Sequence, residues 1–230
     1  FLVIRNLCDG GNTPGFRPHS GRNEPWAFPG ADQFQNQLAQ KSGSEGHFET
    51  SDQWLDRLDT DIIIGFFGFN ESFEDSAGLV IFRDELRAFI KHTLAQKYNG
   101  HQAPYLVLVS PIAFQDLSEK YDLPDGLEIN RRLKMYTQIM AQVAMEENIF
   151  FIDAYTPSLK WFQHKKLTID GMQLSEEGYS IFSSFLSNEI FGPMVKGKGI
   201  DFDELRARVL DKNWFWQNDF KIPNGVHVFG

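Results

Sequence analysis

Apolar residues occur in short unbroken runs at three places in the chain, and each run ends in polar or turn-forming residues. The runs lie directly after Asp61, at Tyr105–Val109 and at residues 149–152. Continuous apolar runs of this length are typical of strands that are covered on both faces, as in a parallel sheet. The run after Asp61 is therefore predicted to be a central strand, and residues 1–4 predict a further strand at the start of the chain.

Between these runs, apolar residues recur at spacings of three and four, which predicts amphipathic helices. The predicted helices cover residues 31–41, 51–58, 79–99, 127–148, 176–191 and 203–213. Strands that alternate with helices indicate right-handed crossovers and a three-layer α/β/α sandwich with a central parallel sheet. We assign residues 1–192 to this domain. Residues 193–230 are predicted to form a helical, aromatic-rich extension that packs on the domain or on a partner.

Charge and cysteine content exclude several function classes. The net charge is -9, and no cluster of Lys and Arg interrupts the acidic balance, so a nucleic-acid partner is not expected. Cys8 is the only cysteine, which rules out an intramolecular disulfide and a cysteine-based zinc cluster. No apolar run approaches the ~20 residues that a membrane-spanning helix needs. We predict no cofactor and no metal.

Polar residues gather where the predicted strand after Asp61 ends, in Gly68-Phe69-Asn70. Ligands of open α/β sheets bind beyond the carboxyl ends of the strands, which makes Asn70 a candidate site residue. The alternative is that Asn70 only caps the next helix or shapes a turn. Residues 14–30 are rich in Gly, Pro and aromatic side chains, and they predict an ordered loop over one end of the sheet.

Three blocks together resemble the SGNH (GDSL-type) lipase and acylhydrolase superfamily, from Phe1 to Phe191. They are the Gly10-Gly11 turn, Gly68-Phe69-Asn70, and Asp170 to Gln173 followed by a helix. The resemblance implies that Gly11, or alternatively Gly10, and Asn70 donate hydrogen bonds to an oxyanion. It also implies that Asp170 is the acid of an Asp-x-x-His pair. Gln173 stands at the position of the His.

The chain departs from the family pattern in two places. The family's Ser block is expected on a strand before Phe1, so the chain is predicted to be a fragment without that strand. Gln173 has no titration near neutral pH and cannot move a proton as His does. His164 is an alternative base, although a His in a loop is more often a surface residue. Ser72 is a weaker alternative nucleophile because it is expected to begin the next helix.

These observations leave two hypotheses from different classes. The first is an esterase or acylhydrolase domain that acts on acyl esters, with carbohydrate-linked acetyl groups as the substrate class that the resemblance implies. The second is a non-catalytic binding or structural domain of a larger protein. A metal-assisted hydrolase that uses Asp170 and nearby His residues is disfavoured, because no His-x-x-x-His spacing occurs. The resemblance implies an extracytoplasmic location, and the composition is that of a soluble protein.

Overall fold

The computed structural model describes residues 3–8, 13–15, 51–193 and 201–216 of the chain. Strands and helices alternate from residue 51 onward. In chain order the elements are α1 (Ser51–Arg57), β1 (Ile62–Phe66), a 3-10 helix (Glu71–Gly78), α2 (Leu79–Ala95), β2 (Tyr105–Val109), α3 (Leu127–Glu146), β3 (Phe150–Ile152), α4 (Tyr155–Phe162), α5 (Glu176–Phe191) and α6 (Phe202–Phe215).

The described strands form one parallel sheet in the order β1-β2-β3. Ile64 of β1 is in register with Val107 of β2, and Val107 is in register with Phe150 of β3. Parallel neighbours need a crossover connection, which α2 supplies between β1 and β2 and α3 supplies between β2 and β3. All three strands therefore point their carboxyl ends toward the same edge of the sheet.

Helices cover both faces of this sheet. On one face, Leu106 and Leu108 of β2 pack in an apolar cluster with α2 and α3. On the other face, Val107 and Val109 pack in a second cluster with Ile152 and the apolar side of α5. The predicted three-layer α/β/α class with a parallel sheet is confirmed. Side chains alternate along a strand, so the apolar run of β2 supplies both clusters.

β2, and not β1, occupies the middle of the described sheet, which differs from the sequence prediction. Val107 and Val109 of β2 are fully buried, whereas Ile62 and Phe66 of β1 are 39% and 43% exposed. Both runs are equally apolar, so the sequence did not separate them. The difference arises because β2 has a strand on each side, while among the described residues β1 has one only on its β2 side.

The predicted strand at residues 1–4 is wrong for its described part. Residues 3–8 form no strand, and Val3 and Ile4 are each 65% exposed. The backbone of this segment contacts α6 instead: the carbonyl of Ile4 accepts a hydrogen bond from Lys212 Nζ at 2.8 Å. A short apolar run without a neighbouring strand lacks the ladder of hydrogen bonds that would fix it. The predicted helix 31–41 and residues 16–30 of the predicted loop lie outside the described residues.

The remaining helices follow the sequence predictions closely, and α4 is an addition. Ser175 caps α5, since its hydroxyl accepts the N–H of Gly178 at 3.2 Å. In the extension, Trp216 is buried and stacks edge-on against Trp54 at 5.6 Å, but Trp214 is 60% exposed. The division at residue 192 and the docking of the extension therefore stay predictions. No described helix has the length and apolar character to cross a membrane.

Candidate active site

The loop after β1 makes a tight turn at Gly68. Gly68 has φ +96°, a conformation that glycine adopts at little cost. A Cβ at this position would lie 3.1 Å from Met140 Sδ and 3.2 Å from Pro111 Cδ, so the core also leaves little room for a side chain. The extended backbone thus does not continue beyond Gly68, because the chain turns there.

Side chains that follow the turn fix its backbone. The N–H of Gly68 donates to Glu71 Oε2 at 2.8 Å. The hydroxyl of Ser72 donates to the carbonyl of Phe69 at 2.7 Å, and Ser72 is buried. The Ser72 hydroxyl therefore has a structural role in the turn, which argues against Ser72 as a nucleophile.

Asn70 lies at the start of the 3-10 helix, with helical φ and ψ of -60° and -42°. It occupies the capping position, but its side chain makes no capping hydrogen bond to that helix. The alternative interpretation of Asn70 as a cap therefore accounts for its position in the chain, but it does not assign a capping role to the side chain. Its role as an oxyanion donor stays a prediction.

Glu71 is an acidic residue that the fold places in the interior, where it is 8% exposed. Burial raises the pKa of its carboxyl from 4.5 to about 7, although the hydrogen bond from Gly68 acts in the opposite direction. The nearby Glu85 carboxylate raises the pKa of Glu71 further. Oε1 of Glu71 is buried without a hydrogen-bond partner. The turn that carries Asn70 is thus held by a group that titrates near neutral pH.

The Asp170 loop is a small hairpin closed by an antiparallel bridge between Thr168 and Leu174. Oδ1 of Asp170 accepts the N–H of Met172 at 2.9 Å and the N–H of Gln173 at 2.7 Å. These two backbone donors hold the pKa of Asp170 below its usual range, because they stabilise the carboxylate. Gln173 is exposed, and the hydrogen bonds within the hairpin engage its backbone.

Gln115, in the segment after β2, anchors the Asp170 loop from beneath. Its Oε1 accepts the N–H groups of Leu167 and Thr168, each at 3.0 Å. Its Nε2 donates to the carbonyl oxygens of Phe162 and Lys165 at 3.3 Å and 2.6 Å. Gln115 is 3% exposed, and both ends of its amide are satisfied. The loop is therefore held by a neutral, fully bonded side chain.

The Asn70 and Asp170 loops pack on the same apolar cluster. Phe69, next to Asn70, and Met172, within the Asp170 hairpin, both lie against a cluster built on Phe114 and Tyr155. Gly171 has φ +96°, and a Cβ there would lie 2.2 Å from Phe114 Cζ, so the hairpin sits directly on that ring. The structure thus brings two of the three sequence blocks to one edge of the sheet.

Of the other candidate residues, His164 is not brought into this arrangement. Gly10 and Gly11 lie outside the described residues. His164 is exposed in the turn after α4, where its N–H donates to the carbonyl of Trp161. Among the residues that the structure describes, no group of three or more His, Cys, Asp or Glu is arranged to hold a metal ion.

Sequence reasoning missed the roles of Glu71 and Gln115. Glu71 directly follows the Gly68-Phe69-Asn70 block, and an acid placed between an apolar strand and a helix was the available signal. Gln115 is the first polar residue after the segment from Pro111 to Phe114 and is followed by Asp116, and such a position predicts a loop as readily as a buried anchor. Their burial depends on α2, α3 and the Asp170 hairpin, which the local sequence does not specify.

No family model and no curated protein matches the chain. Several solved structures are similar to it. The acetylxylan esterase Axe2 from Geobacillus stearothermophilus is 17% identical, with a TM-score of 0.47 over 62% of this chain and 65% of that chain. The lipase/acylhydrolase from Enterococcus faecalis is 21% identical, with a TM-score of 0.43 over 64% of this chain and 75% of that chain. The chain thus spans less than two thirds of the length of Axe2.

Proposed function

We propose that this chain is an SGNH-type acylhydrolase domain that binds acyl esters at the carboxyl edge of its sheet. The observation that carries the proposal is the shared apolar cluster on which the Asn70 and Asp170 loops pack. Phe69 and Met172 both lie against this cluster, which supports a shared location of the two loops, as the resemblance implies for an oxyanion donor and a triad acid. Carbohydrate-linked acetyl groups are the proposed substrate class, and an extracytoplasmic location is the proposed setting.

In this proposal each side chain has a distinct role. The amide of Asn70 donates a hydrogen bond to the oxygen that becomes negative when the ester carbonyl is attacked. Asp170 is ionised, since its carboxylate accepts two backbone N–H groups, and its charge favours a protonated base nearby. The nucleophile is a Ser of the upstream family block. The base is a group other than Gln173, because a carboxamide does not accept a proton near neutral pH.

Hydrolysis of p-nitrophenyl acetate by the full-length protein tests this function. Asn70→Ala is expected to lower kcat/KM by ~100-fold or more, the usual effect of removing one oxyanion donor. Asn188→Ala is the matched control, because Asn188 is exposed on α5 and lies in none of the three blocks. Turnover that is equal in the wild type and Asn70→Ala would contradict the proposed role of Asn70.

A non-catalytic binding domain is the second candidate, and Gln173 is the observation that favours it. The Asp170 hairpin keeps its backbone hydrogen bonds with Gln in the His position, so the architecture persists without the base. Gln173→His distinguishes the candidates. If turnover arises only in Gln173→His, the wild-type domain is a binding module. If the wild type turns over and Asn70→Ala does not, the binding-module hypothesis is wrong.

A further inference from the structure

Two buried carboxyl groups lie behind the Asn70 loop, and no step of the proposed function uses them. Glu71 and Glu85 are each 8% exposed, and Glu85 belongs to α2. The described residues supply neither carboxyl with a cationic partner. A buried carboxyl without one is costly to ionise, so these two residues weaken the fold above neutral pH. Glu71 directly follows Asn70, which points to a role at the site.

Glu71 is joined directly to the turn that carries Asn70. Its Oε2 accepts the N–H of Gly68 at 2.8 Å, and this bond closes the turn from Gly68 to Glu71. An ionised acceptor makes a shorter and stronger hydrogen bond than a neutral one. The strength of the hydrogen bond from the Gly68 N–H to Glu71 therefore depends on whether Glu71 is ionised. Asn70 lies inside the closed turn, so the direction of its side chain follows the turn.

We propose that Glu71 is a positioning residue for Asn70: its ionised carboxylate fixes the turn from Gly68 to Glu71, and its protonation loosens that turn. The inference rests on the proposed function, since it concerns the same Asn70 amide. It goes beyond that function because it makes the order of the site depend on pH through a residue that does not contact the substrate. The site is most ordered when Glu71 is charged.

The groups around Glu71 favour titration near neutral pH. Burial raises the pKa of both Glu71 and Glu85 to about 7. On the α3 side, the Tyr136 hydroxyl donates to the carbonyl of Asp75 at 2.8 Å, and burial keeps the pKa of Tyr136 high, at about 12. Glu74 and Asp75 raise the pKa of Tyr136 further, and Arg131 and Arg132 in turn lower the pKa of Asp75.

Segment 13–15 packs against the second carboxyl. A Cβ at Gly15 would lie 2.3 Å from Glu85 Oε1, so the backbone of this segment covers Glu85 directly. Pro14 and Gly15 are buried, and they exclude water from that side. The two carboxyls are thus enclosed by α2, by the Asn70 loop and by segment 13–15. The Glu85 carboxylate raises the pKa of Glu71 in addition to burial.

Nuclear magnetic resonance of the 15N-labelled full-length protein tests the inference without any turnover. The Gly68 amide proton is expected to shift downfield as pH rises through about 7, because its acceptor becomes charged. The side-chain amide of Asn70 is expected to titrate with the same midpoint. The Gly171 amide is the internal control, since it donates to the Thr168 hydroxyl and should not follow this titration.

Two amide substitutions assign the titration. Glu71→Gln keeps an acceptor for the Gly68 N–H but cannot ionise, so the shifts of Gly68 and Asn70 are expected to become independent of pH. In Glu85→Gln the Gly68 and Asn70 signals are expected to titrate with a lower midpoint, because the negative charge of Glu85 no longer raises the pKa of Glu71. The inference is overturned if Gly68 still titrates in Glu71→Gln, or if Gly68 titrates in the wild type while the Asn70 amide does not.

Turnover is a separate measurement that distinguishes failure of this inference from failure of the proposed function. If both hold, Glu71→Gln lowers kcat by ~10-fold above neutral pH, changes KM little and loses the limb of the pH profile near 7. An identical pH profile in the wild type and Glu71→Gln would overturn the inference and leave the function standing. Absence of turnover with an intact Gly68 titration would overturn the function alone.

Discussion

The Asn70 and Asp170 loops rest on one apolar cluster but are anchored by opposite chemistry. Glu71 holds the Asn70 loop through one hydrogen bond to Gly68, and its second carboxyl oxygen is buried without a partner. Gln115 holds the Asp170 loop with both ends of a neutral amide. A satisfied neutral group stabilises a loop at every pH, whereas a buried carboxyl stabilises its loop best in the form that is most costly to bury.

The two anchors also carry different consequences for function. The Asp170 hairpin presents a carboxylate whose pKa is held low by backbone N–H groups, so its charge is constant across neutral pH. The Asn70 loop presents an amide whose placement depends on the charge of Glu71. If the proposed function holds, the acid of the site is fixed and the oxyanion donor is adjustable. Four predictions test this difference between the loops.

Removal of the neutral anchor is expected to have the largest effect. Gln115→Ala leaves two buried N–H groups and two carbonyl groups without their partner, and each such group costs ~1 to 3 kcal/mol. We expect the free energy of unfolding to fall by about 4 kcal/mol, equally at pH 5 and pH 8. Urea denaturation at both pH values measures this. A loss of stability that differs strongly between pH 5 and pH 8 would contradict the description of Gln115 as a neutral anchor.

Gln115→Glu is the matched variant, because it introduces into the Asp170 loop the chemistry of the Asn70 loop. The new carboxylate accepts the N–H groups of Leu167 and Thr168 but faces the carbonyl oxygens of Phe162 and Lys165. The stability of the Gln115→Glu protein is expected to fall as pH rises, since burial and the two carbonyl groups disfavour the negative charge of the new carboxylate. A Gln115→Glu protein as stable as the wild type at pH 8 would contradict this.

Alanine at the turn glycine of each loop is expected to show the second largest effect. Gly68 and Gly171 both have φ +96°, so both substitutions strain the backbone. At Gly171 the new Cβ lies 2.2 Å from the buried Phe114 ring, whereas at Gly68 the nearest atom is the flexible Met140 Sδ at 3.1 Å. We expect Gly171→Ala to lose about 3 kcal/mol and Gly68→Ala about 1.5 kcal/mol, measured by thermal unfolding.

A second substitution separates the steric and backbone contributions. Phe114→Leu removes the ring atoms that meet the Cβ at position 171, so it is expected to be less damaging in the Gly171→Ala background than in the wild type. It should show no such coupling with Gly68→Ala. Additive effects at positions 114 and 171 would show that the backbone conformation alone sets the cost at Gly171.

The third prediction concerns the dependence of stability on pH. Unfolded Glu71 releases its proton near 4.5 and folded Glu71 at about 7, so the folded state binds more protons between these values. The free energy of unfolding is therefore expected to fall as pH rises from 4.5 to 7. One pKa unit corresponds to ~1.4 kcal/mol, so the fall attributed to Glu71 is at most about 3 kcal/mol.

Glu71→Gln is expected to flatten this dependence and to raise stability at pH 8 by about 2 kcal/mol, because the amide needs no ionisation. Glu85→Gln should have the same sign, since burial raises the pKa of Glu85 as well. Urea denaturation between pH 4.5 and 8 provides the measurement. An unchanged slope in both variants would show that neither carboxyl titrates in this range.

Asp170→Asn is expected to have the smallest effect on stability. The amide oxygen of Asn still accepts the N–H groups of Met172 and Gln173, and the site is open to solvent screening, so the loss should stay below ~1 kcal/mol. The folded-state pKa of Asp170 is lowered, so its contribution is present above 3.8 and is lost as pH falls through the folded-state value. The difference in stability between the wild type and Asp170→Asn is expected to shrink progressively as pH falls below 3.8.

Much of the fold follows from local sequence pattern. The apolar run at Tyr105–Val109 and the spacing of Leu133, Tyr136 and Met140 predicted β2 and α3, and both are present. The spacing of apolar residues over 176–191 predicted α5, which spans Glu176–Phe191. These signals succeed because a helix or a buried strand repeats the same burial requirement along its own residues.

The candidate site was predictable only in part. Asn70 was a candidate because it follows a predicted strand, whereas Asp170 and Gln173 came from a resemblance of motifs. Phe69 and Met172, in the loops of Asn70 and Asp170, lie against one apolar cluster. The anchors of those loops were not predictable, because hydrogen bonds such as that from Thr168 to Gln115 join residues 53 positions apart. The position of β1 at one side of the part of the sheet that the structure describes was missed for the same reason: an apolar run specifies burial, and neighbouring strands decide where that burial is available.

The sequence by itself determined the parallel α/β class, the order of the elements and the residue types offered at the ends of the strands. Only the tertiary structure decided that Glu71 and Glu85 are enclosed and that Gln115 is fully bonded. A pattern along the chain records which residues tolerate burial. The charge state of a buried group depends on the elements that surround it, and α2, α3 and segment 13–15 meet Glu71 and Glu85 only after folding.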